Sequence, residues 1–146
     1  MLKKNLIPKG QLSGTRTDIK GNKDNKRSLQ RENESADILV ENGYHVEQNP
    51  LVTADDNIRK GKQPDYRING EIFDNYTPNN KADIEQIRNE ISRKVKRGQT
   101  HRVVLNLEDS EVPITDIETM FKIRKPVLNI QQLIIIKNGQ LLELFE

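Results

Sequence analysis

The chain has 146 residues, enough for one domain of ordinary size, and 33% of them are apolar against 32% charged, with a mean hydropathy of -0.82. No 18-residue apolar run is present, and Met1 leads into Lys3, Lys4 and Pro8, so neither a membrane span nor a signal peptide is expected. Zero cysteines exclude disulfide partners, zinc ribbons, iron–sulfur clusters and thiol nucleophiles, and two histidines 56 positions apart (His45, His101) argue against a His-based metal site or a Ser-His-Asp relay. Any chemistry falls to carboxylates, Lys, Arg or Tyr.

The net charge of +2 conceals a division. Residues 1–31 hold nine basic side chains and two acidic ones, while the remaining 115 hold 15 basic and 20 acidic. With Pro8, Gly10, Gly14 and Gly21 and almost no apolar periodicity, residues 1–27 read as a basic, flexible arm before a domain over 28–146. Such a tail is a solvated linker or an electrostatic arm for a polyanion.

Within the body, Ser28 is a plausible N-cap for a helix carrying Leu29, Ala36, Leu39 and Val40 and ending at Gly43. Tyr44 to Glu47 suits a short strand. Thr53 to Gln63 is polar and reads as an exposed, mobile loop. Asp65 to Asn75 forms a hairpin around Asn69-Gly70, the strongest two-residue turn signal. Ile84, Ile87, Ile91 and Val95 mark a helix from about Lys81 to Arg97, stopped by Gly98. Arg102 to Leu107 has the continuous apolar centre of a buried or parallel strand. Pro113 opens a helix faced by Ile114, Ile117, Met120 and Phe121 and ending at Lys125-Pro126. Leu133 to Ile136, Asn138-Gly139 and Leu141 to Phe145 close with a second hairpin. The order predicts an α/β fold with a mixed central sheet flanked by helices.

With Asn69-Gly70 as the central turn residues, Asp65 falls opposite Asp74, Tyr66 opposite Phe73, Arg67 opposite Ile72 and Ile68 opposite Glu71. Alternation puts Tyr66, Ile68 and Phe73 on a core face and Asp65, Arg67 and Asp74 on a polar one. Opposed Cβ atoms lie ~4.5–5.5 Å apart, where like charges are destabilising. The pair becomes favourable if a divalent cation sits between the two Asp, or if one carboxyl keeps its proton as a general acid. The bland alternative is a solvent-exposed hairpin whose carboxylates are screened. Mg²⁺, which takes one or two carboxylates plus phosphate oxygens, suits phosphodiester hydrolysis.

Hydrolysis also needs positive charge at the transition state. On a wheel of about 100° per residue from Ile84, Lys94 falls at about 280° and Arg88 at about 40°, bordering the buried stripe on either side, whereas Arg93 points to water. Lys94 is either a snorkelling stem or the group that binds the scissile phosphate. On helix one, Glu32 falls inside the apolar stripe, where a carboxylate needs a partner; Glu34 lies off it.

The stretches Arg31 to Ala36, Glu41 to Pro50, Pro64-Asp65-Tyr66 with Phe73-Asp74-Asn75-Tyr76, and Lys94-Val95-Lys96 running to Leu107 together resemble the CdiA-type C-terminal tRNA nuclease domains, the toxic tips of bacterial contact-dependent growth inhibition proteins. The resemblance covers roughly residues 28–136. It implies a restriction-endonuclease-like, PD-(D/E)xK core and metal-assisted cleavage of tRNA or another structured RNA in the bacterial cytoplasm, including that of a neighbouring cell after delivery. It also implies an inhibitory immunity protein as partner. Carried over by position, Asp65 and Asp74 match the acidic pair and Lys94 the basic residue. Glu34 matches the helix-one glutamate by its Asn-Glu context, against the wheel's preference for Glu32, and both are kept. A (D/E)xK motif wants Lys two positions after Asp74, where Tyr76 stands, so Lys94 or Arg88 must replace it. Arg67, Arg88, His101 and Arg102 are candidate substrate-binding residues, with Gln99 in the same neighbourhood. Competing readings are a DNA nuclease of the same fold, a non-catalytic nucleic-acid- or protein-binding module of a mobile element that uses the basic arm, and a phage assembly protein carrying the domain as a passenger. Met1 fits either a free-standing domain or a piece of a longer delivery protein.

Overall fold

The computed structural model describes residues 8–124 and 129–145. Their elements are β1 (Leu12–Gly14), α1 (Lys23–Glu41), β2 (Val46–Gln48), a 3-10 turn (Ala54–Asp56), β3 (Tyr66–Ile68), β4 (Glu71–Tyr76), α2 (Ile84–Lys96), β5 (Arg102–Asn106), α3 (Ile114–Arg124), β6 (Gln132–Lys137) and β7 (Gln140–Leu144). The seven strands form one sheet in sequence order. β1–β2, β4–β5 and β5–β6 are parallel and the other pairs antiparallel. This is the mixed sheet expected from the order of elements.

Side-chain alternation divides the core in two. Val103, Leu105, Leu133 and Ile135 face α2 and α3, burying Ile87, Ile91, Val95, Ile117, Met120 and Phe121. Val104, Ile134 and Ile136, with Tyr66, Ile68 and Phe73, face Ala36 and Leu39 of α1. The sheet is thus covered on both sides. Its interior strand β5 is parallel to both neighbours, which is why Arg102 to Leu107 reads as an uninterrupted apolar run. Each fully buried Leu, Ile or Phe contributes roughly 1.5–3 kcal/mol.

Both tight hairpins follow from Asn-Gly. Asn69 and Gly70 have φ of 48° and 90°, and Asn138 and Gly139 have 53° and 72°, the double positive φ of a type I′ turn. The register Tyr66↔Phe73, Arg67↔Ile72, Ile68↔Glu71 is the expected one. α2 starts at Asp83, which accepts the Gln86 N–H in a capping box, two to three residues later than expected. Lys125-Pro126, the expected end of the third helix, lies outside the described residues.

The N-terminal part departs from expectation. α1 begins at Lys23, capped by the Asn22 side chain, so Ser28 sits inside it. The first turn is wholly polar and leaves no apolar period to see. Residues 8–22 are docked rather than a free arm. Leu12–Gly14 pairs with β2, Gly10 N–H donates to Val40 O (2.8 Å), and Val46 N–H donates to Gln11 O (2.8 Å). A Cβ at Gly10 would lie 1.8 Å from the Tyr44 carbonyl oxygen, so glycine is what allows this approach. Four of the basic side chains meet the body's own acids: Lys9 with Glu41, Arg16 with Asp37, and Arg27 and Arg31 with Asp109. The segment 53–63 is likewise tied down, through Asp56 to Arg67 and Arg59 N–H to Gly98 O.

Candidate functional site

The β3–β4 ladder ends at Tyr66↔Phe73. Beyond it, side chains replace the missing backbone acceptors: Asp65 N–H donates to Asp74 Oδ1 (3.1 Å), and Asn75 N–H donates to Asp65 Oδ2 (2.8 Å). Each aspartate therefore reaches across to the other's strand, and the two carboxylates lie together in the opening between strands. Asp74 is 1% exposed and Asp65 half-buried, which does not fit the bland alternative of a solvent-exposed hairpin with screened carboxylates. Buried Ile72 shares that face.

Groups from both sides of the sheet converge on this opening. From α2, Lys94 Nζ lies 3.6 Å from Asp74 Oδ2, its side chain largely covered. Just after α2, the Gln99 amide donates to the same oxygen. From α1, Glu32 is 8% exposed and hydrogen-bonds the Asp65 carboxyl. α1 is fixed here because Tyr66 Oη donates to the Glu32 carbonyl oxygen. Glu32 is also held by the Thr17 hydroxyl. Thr17 is itself clamped: its N–H donates to Asn33 Oδ1 (3.0 Å), and Asn33 Nδ2 donates back to Thr17 O (3.0 Å).

Burial dominates the electrostatics. It pushes Asp65 well above the usual carboxylate range, reinforced by the charges of Asp74 and Glu32. Burial raises Asp74 too, opposed chiefly by Lys94, and raises Glu32, opposed by the Thr17 hydroxyl and by Asp65. Three acids with raised affinity for protons lie beside one lysine, an arrangement in which neighbouring carboxyls can share a proton or a cation can take its place. The donors are hard carboxylate oxygens, which fit a hard dication held by one or two carboxylates. Among the described residues no set of three or more His, Cys, Asp or Glu side chains is arranged to hold a metal.

The other candidates are dispersed. Glu34 pairs with Arg31 (2.7 Å) and is not brought to the cluster; of the two helix-one glutamates, the wheel's choice is the one that arrives. Arg67 is committed elsewhere, gripping Asp56 through both carboxylate oxygens (2.8 and 3.0 Å) and the Leu51 carbonyl (2.9 Å). As a candidate substrate contact it therefore stands apart from the carboxylate pair, with its guanidinium already engaged. Arg102 pairs with Glu71 (3.2 Å), at the turn end of the hairpin. His101 and Arg88 are half-buried, and Arg88 lies on the α2 face rather than at the carboxylates. Sequence reasoning missed Thr17, which lies 15 positions from its partner inside a segment without pattern. Gln99 was visible as a neighbour of Lys94, but nothing local showed that it reaches Asp74.

This chain has the signature of a known group of domains. Residues 62–141, spanning the β3–β4 hairpin, Lys94 and Gln99, match the family model described as the contact-dependent growth inhibition CdiA C-terminal domain. A curated relative, "tRNA nuclease CdiA-2" from Burkholderia pseudomallei (strain 1026b), is 44% identical over 111 residues, 75% of this chain; the match spans 3% of that relative's length. A solved structure, the CdiA-CT/CdiI toxin and immunity complex from Burkholderia pseudomallei, superposes with a TM-score of 0.83 at 37% identity, covering 94% of this chain and 100% of the other. The chain belongs to the family of contact-dependent growth inhibition CdiA C-terminal domains.

Proposed function

We propose that this domain is a ribonuclease toxin that cleaves tRNA at the Asp65–Asp74 cluster, with a restriction-endonuclease-like, PD-(D/E)xK type of site. The observation that carries this reading is the convergence of Glu32, Asp65, Asp74, Lys94 and Gln99 at the end of the β3–β4 ladder. The names of the curated relative and of the solved complex point the same way.

Asp65 and Asp74 would hold Mg²⁺ or another divalent cation, which when bound supplies Lewis-acid stabilisation and an acidified water. The chain's own groups do the rest. Lys94, 3.6 Å from Asp74, places an ammonium beside the phosphate and offsets the charge that grows on its oxygens. Gln99 fixes the rotamer of Asp74. Glu32, hydrogen-bonded to Asp65 and to Thr17, orients the attacking water and accepts its proton. By the same likeness, a cognate immunity protein is the partner that blocks the domain, and the site of action is the cytoplasm of a bacterium that receives it. The alternative, a non-catalytic module with a basic arm, has a weaker basis, because Lys9, Arg16, Arg27 and Arg31 of that segment are paired with the body's acids.

Incubation with total tRNA tests this directly. Wild type should cut it, EDTA should stop the reaction, and Asp74→Ala should lower the rate at least ~10³-fold while remaining folded by circular dichroism. Asp74→Ala cutting tRNA at the parent rate would end the assignment of the site. EDTA-resistant cutting would remove the metal and leave the nuclease, and cutting of DNA in preference to RNA would replace the substrate.

A further inference from the structure

A second concentration of charge lies outside the carboxylate cluster. Arg88, Arg93 and Lys96 on the outer side of α2 and Arg97 just after it, with Arg59 from the 53–63 segment, line a cleft of about 640 Å³ with no acidic residue in its wall. Cations gather near helix C-termini simply to oppose the helix dipole. Arg59 does not fit that account, because it comes from a separate segment. It is held in place by its N–H donating to Gly98 O (2.7 Å), with its Cβ against Gly98, where an added Cβ would come within 2.9 Å. Many of the arginines are matched with acids, as in Arg16–Asp37, Arg27–Asp109, Arg67–Asp56 and Arg102–Glu71, and within the cleft Arg93 pairs with Glu90. In the cleft, Arg59, Lys96 and Arg97 are exposed and form no ion pair with any described residue. The rows 88-92-96 and 89-93-97 repeat at the four-residue helical spacing, so these side chains form a strip along the helix rather than a single point. Ser92 adds a hydroxyl to that strip. The strip runs into Gly98, one residue before Gln99, which touches Asp74.

We propose that this cleft binds the phosphodiester backbone of the RNA substrate and leads a strand from the outer face of α2 to the Asp65–Asp74 cluster. The inference rests on the nuclease reading and adds the docking surface to it. A body with net negative charge outside its first 31 residues is a poor general polyanion binder, so a local strip of cations supplies the electrostatic term. Such contacts set affinity and position without reading base identity.

The test uses Asp74→Ala protein, expected to hold RNA without cutting it, and fluorescently labelled total tRNA over a range of salt. Lys96→Ala/Arg97→Ala in that background should weaken binding at least ~10-fold, and the slope of log affinity against log salt should become shallower by about 1.5, from two lost phosphate contacts. Arg59→Ala should act in the same direction with a smaller effect, and all variants should melt at the parent temperature. Unchanged affinity and slope in the double variant would overturn the proposal. So would loss of binding to an immunity protein with RNA affinity intact, since the strip would then serve a protein. The two readings separate with wild type: tRNA cutting that survives Lys96→Ala/Arg97→Ala at the parent rate sinks the cleft and leaves the nuclease, whereas a wild type that neither binds nor cuts tRNA sinks both.

Discussion

Asp65 and Asp74 each serve as the hydrogen-bond acceptor for the other strand's backbone, so their proximity is a consequence of where the ladder stops. That geometry costs stability once the acids ionise. A carboxyl whose folded pKa is raised binds protons more tightly folded than unfolded, so stability falls as pH rises from the ordinary carboxylate range through the raised folded value. Asp65→Asn keeps an acceptor for the Asn75 N–H and removes the charge. It should stabilise the protein at neutral pH by about 1–3 kcal/mol and flatten that pH dependence in thermal melts. A less stable Asp65→Asn protein would show that the charge is compensated better than burial indicates. The two glutamates of α1 give a second test at this scale. Glu32→Gln should lose about 10²-fold in cleavage, Thr17→Val a smaller factor in the same direction, and Glu34→Gln almost nothing, measured by single-turnover cleavage. Equal losses at Glu32 and Glu34 would contradict the placement of Glu34 on Arg31.

At the scale of elements, the hairpin does two jobs. One end presents the carboxylates, and through Arg67 its outer edge holds the 3-10 turn that contains Asp56. Arg67 brings Asp56 down to about 2, so the lock is complete above the ordinary Asp range and is lost as pH falls through about 2. Arg67→Ala should destabilise by ~1–2 kcal/mol after solvent screening. Its effect on cleavage should be small if the residue is structural; a large fall in RNA affinity with an unchanged melting temperature would mark it as a substrate contact. α2 is similarly divided, with Ile87, Ile91 and Val95 in the core, Lys94 at the cluster and Arg93, Lys96 and Arg97 in the outer cleft.

At the scale of the whole molecule, the segment before α1 belongs to the sheet and to the site. Removing residues 1–27 deletes β1, the Thr17 contact to Glu32, the Arg16–Asp37 pair, and Arg27, which binds Asp109 and the Thr77 carbonyl. Truncation there should lower the melting temperature by several degrees and reduce cleavage, rather than merely weaken salt-sensitive RNA binding. A truncated protein with parent stability and activity would return the segment to the status of a linker.

What the sequence determined by itself is what depends on neighbours a few positions apart. The Asn69-Gly70 turn set the register that puts Asp65 across from Asp74. The period of Ile87, Ile91 and Val95 placed Lys94 at the border of the buried stripe, and the wheel on α1 selected Glu32. Tertiary structure decided which polar groups those residues meet. Arg67 is spent on Asp56, Gln99 reaches Asp74 and Thr17 reaches Glu32. In the first basic segment, Arg27 meets an acid 82 positions away, Asp109. Turn chemistry and hydrophobic period act within one element and leave a local signature, whereas a hydrogen bond between distant side chains is fixed only when the core brings their backbones together.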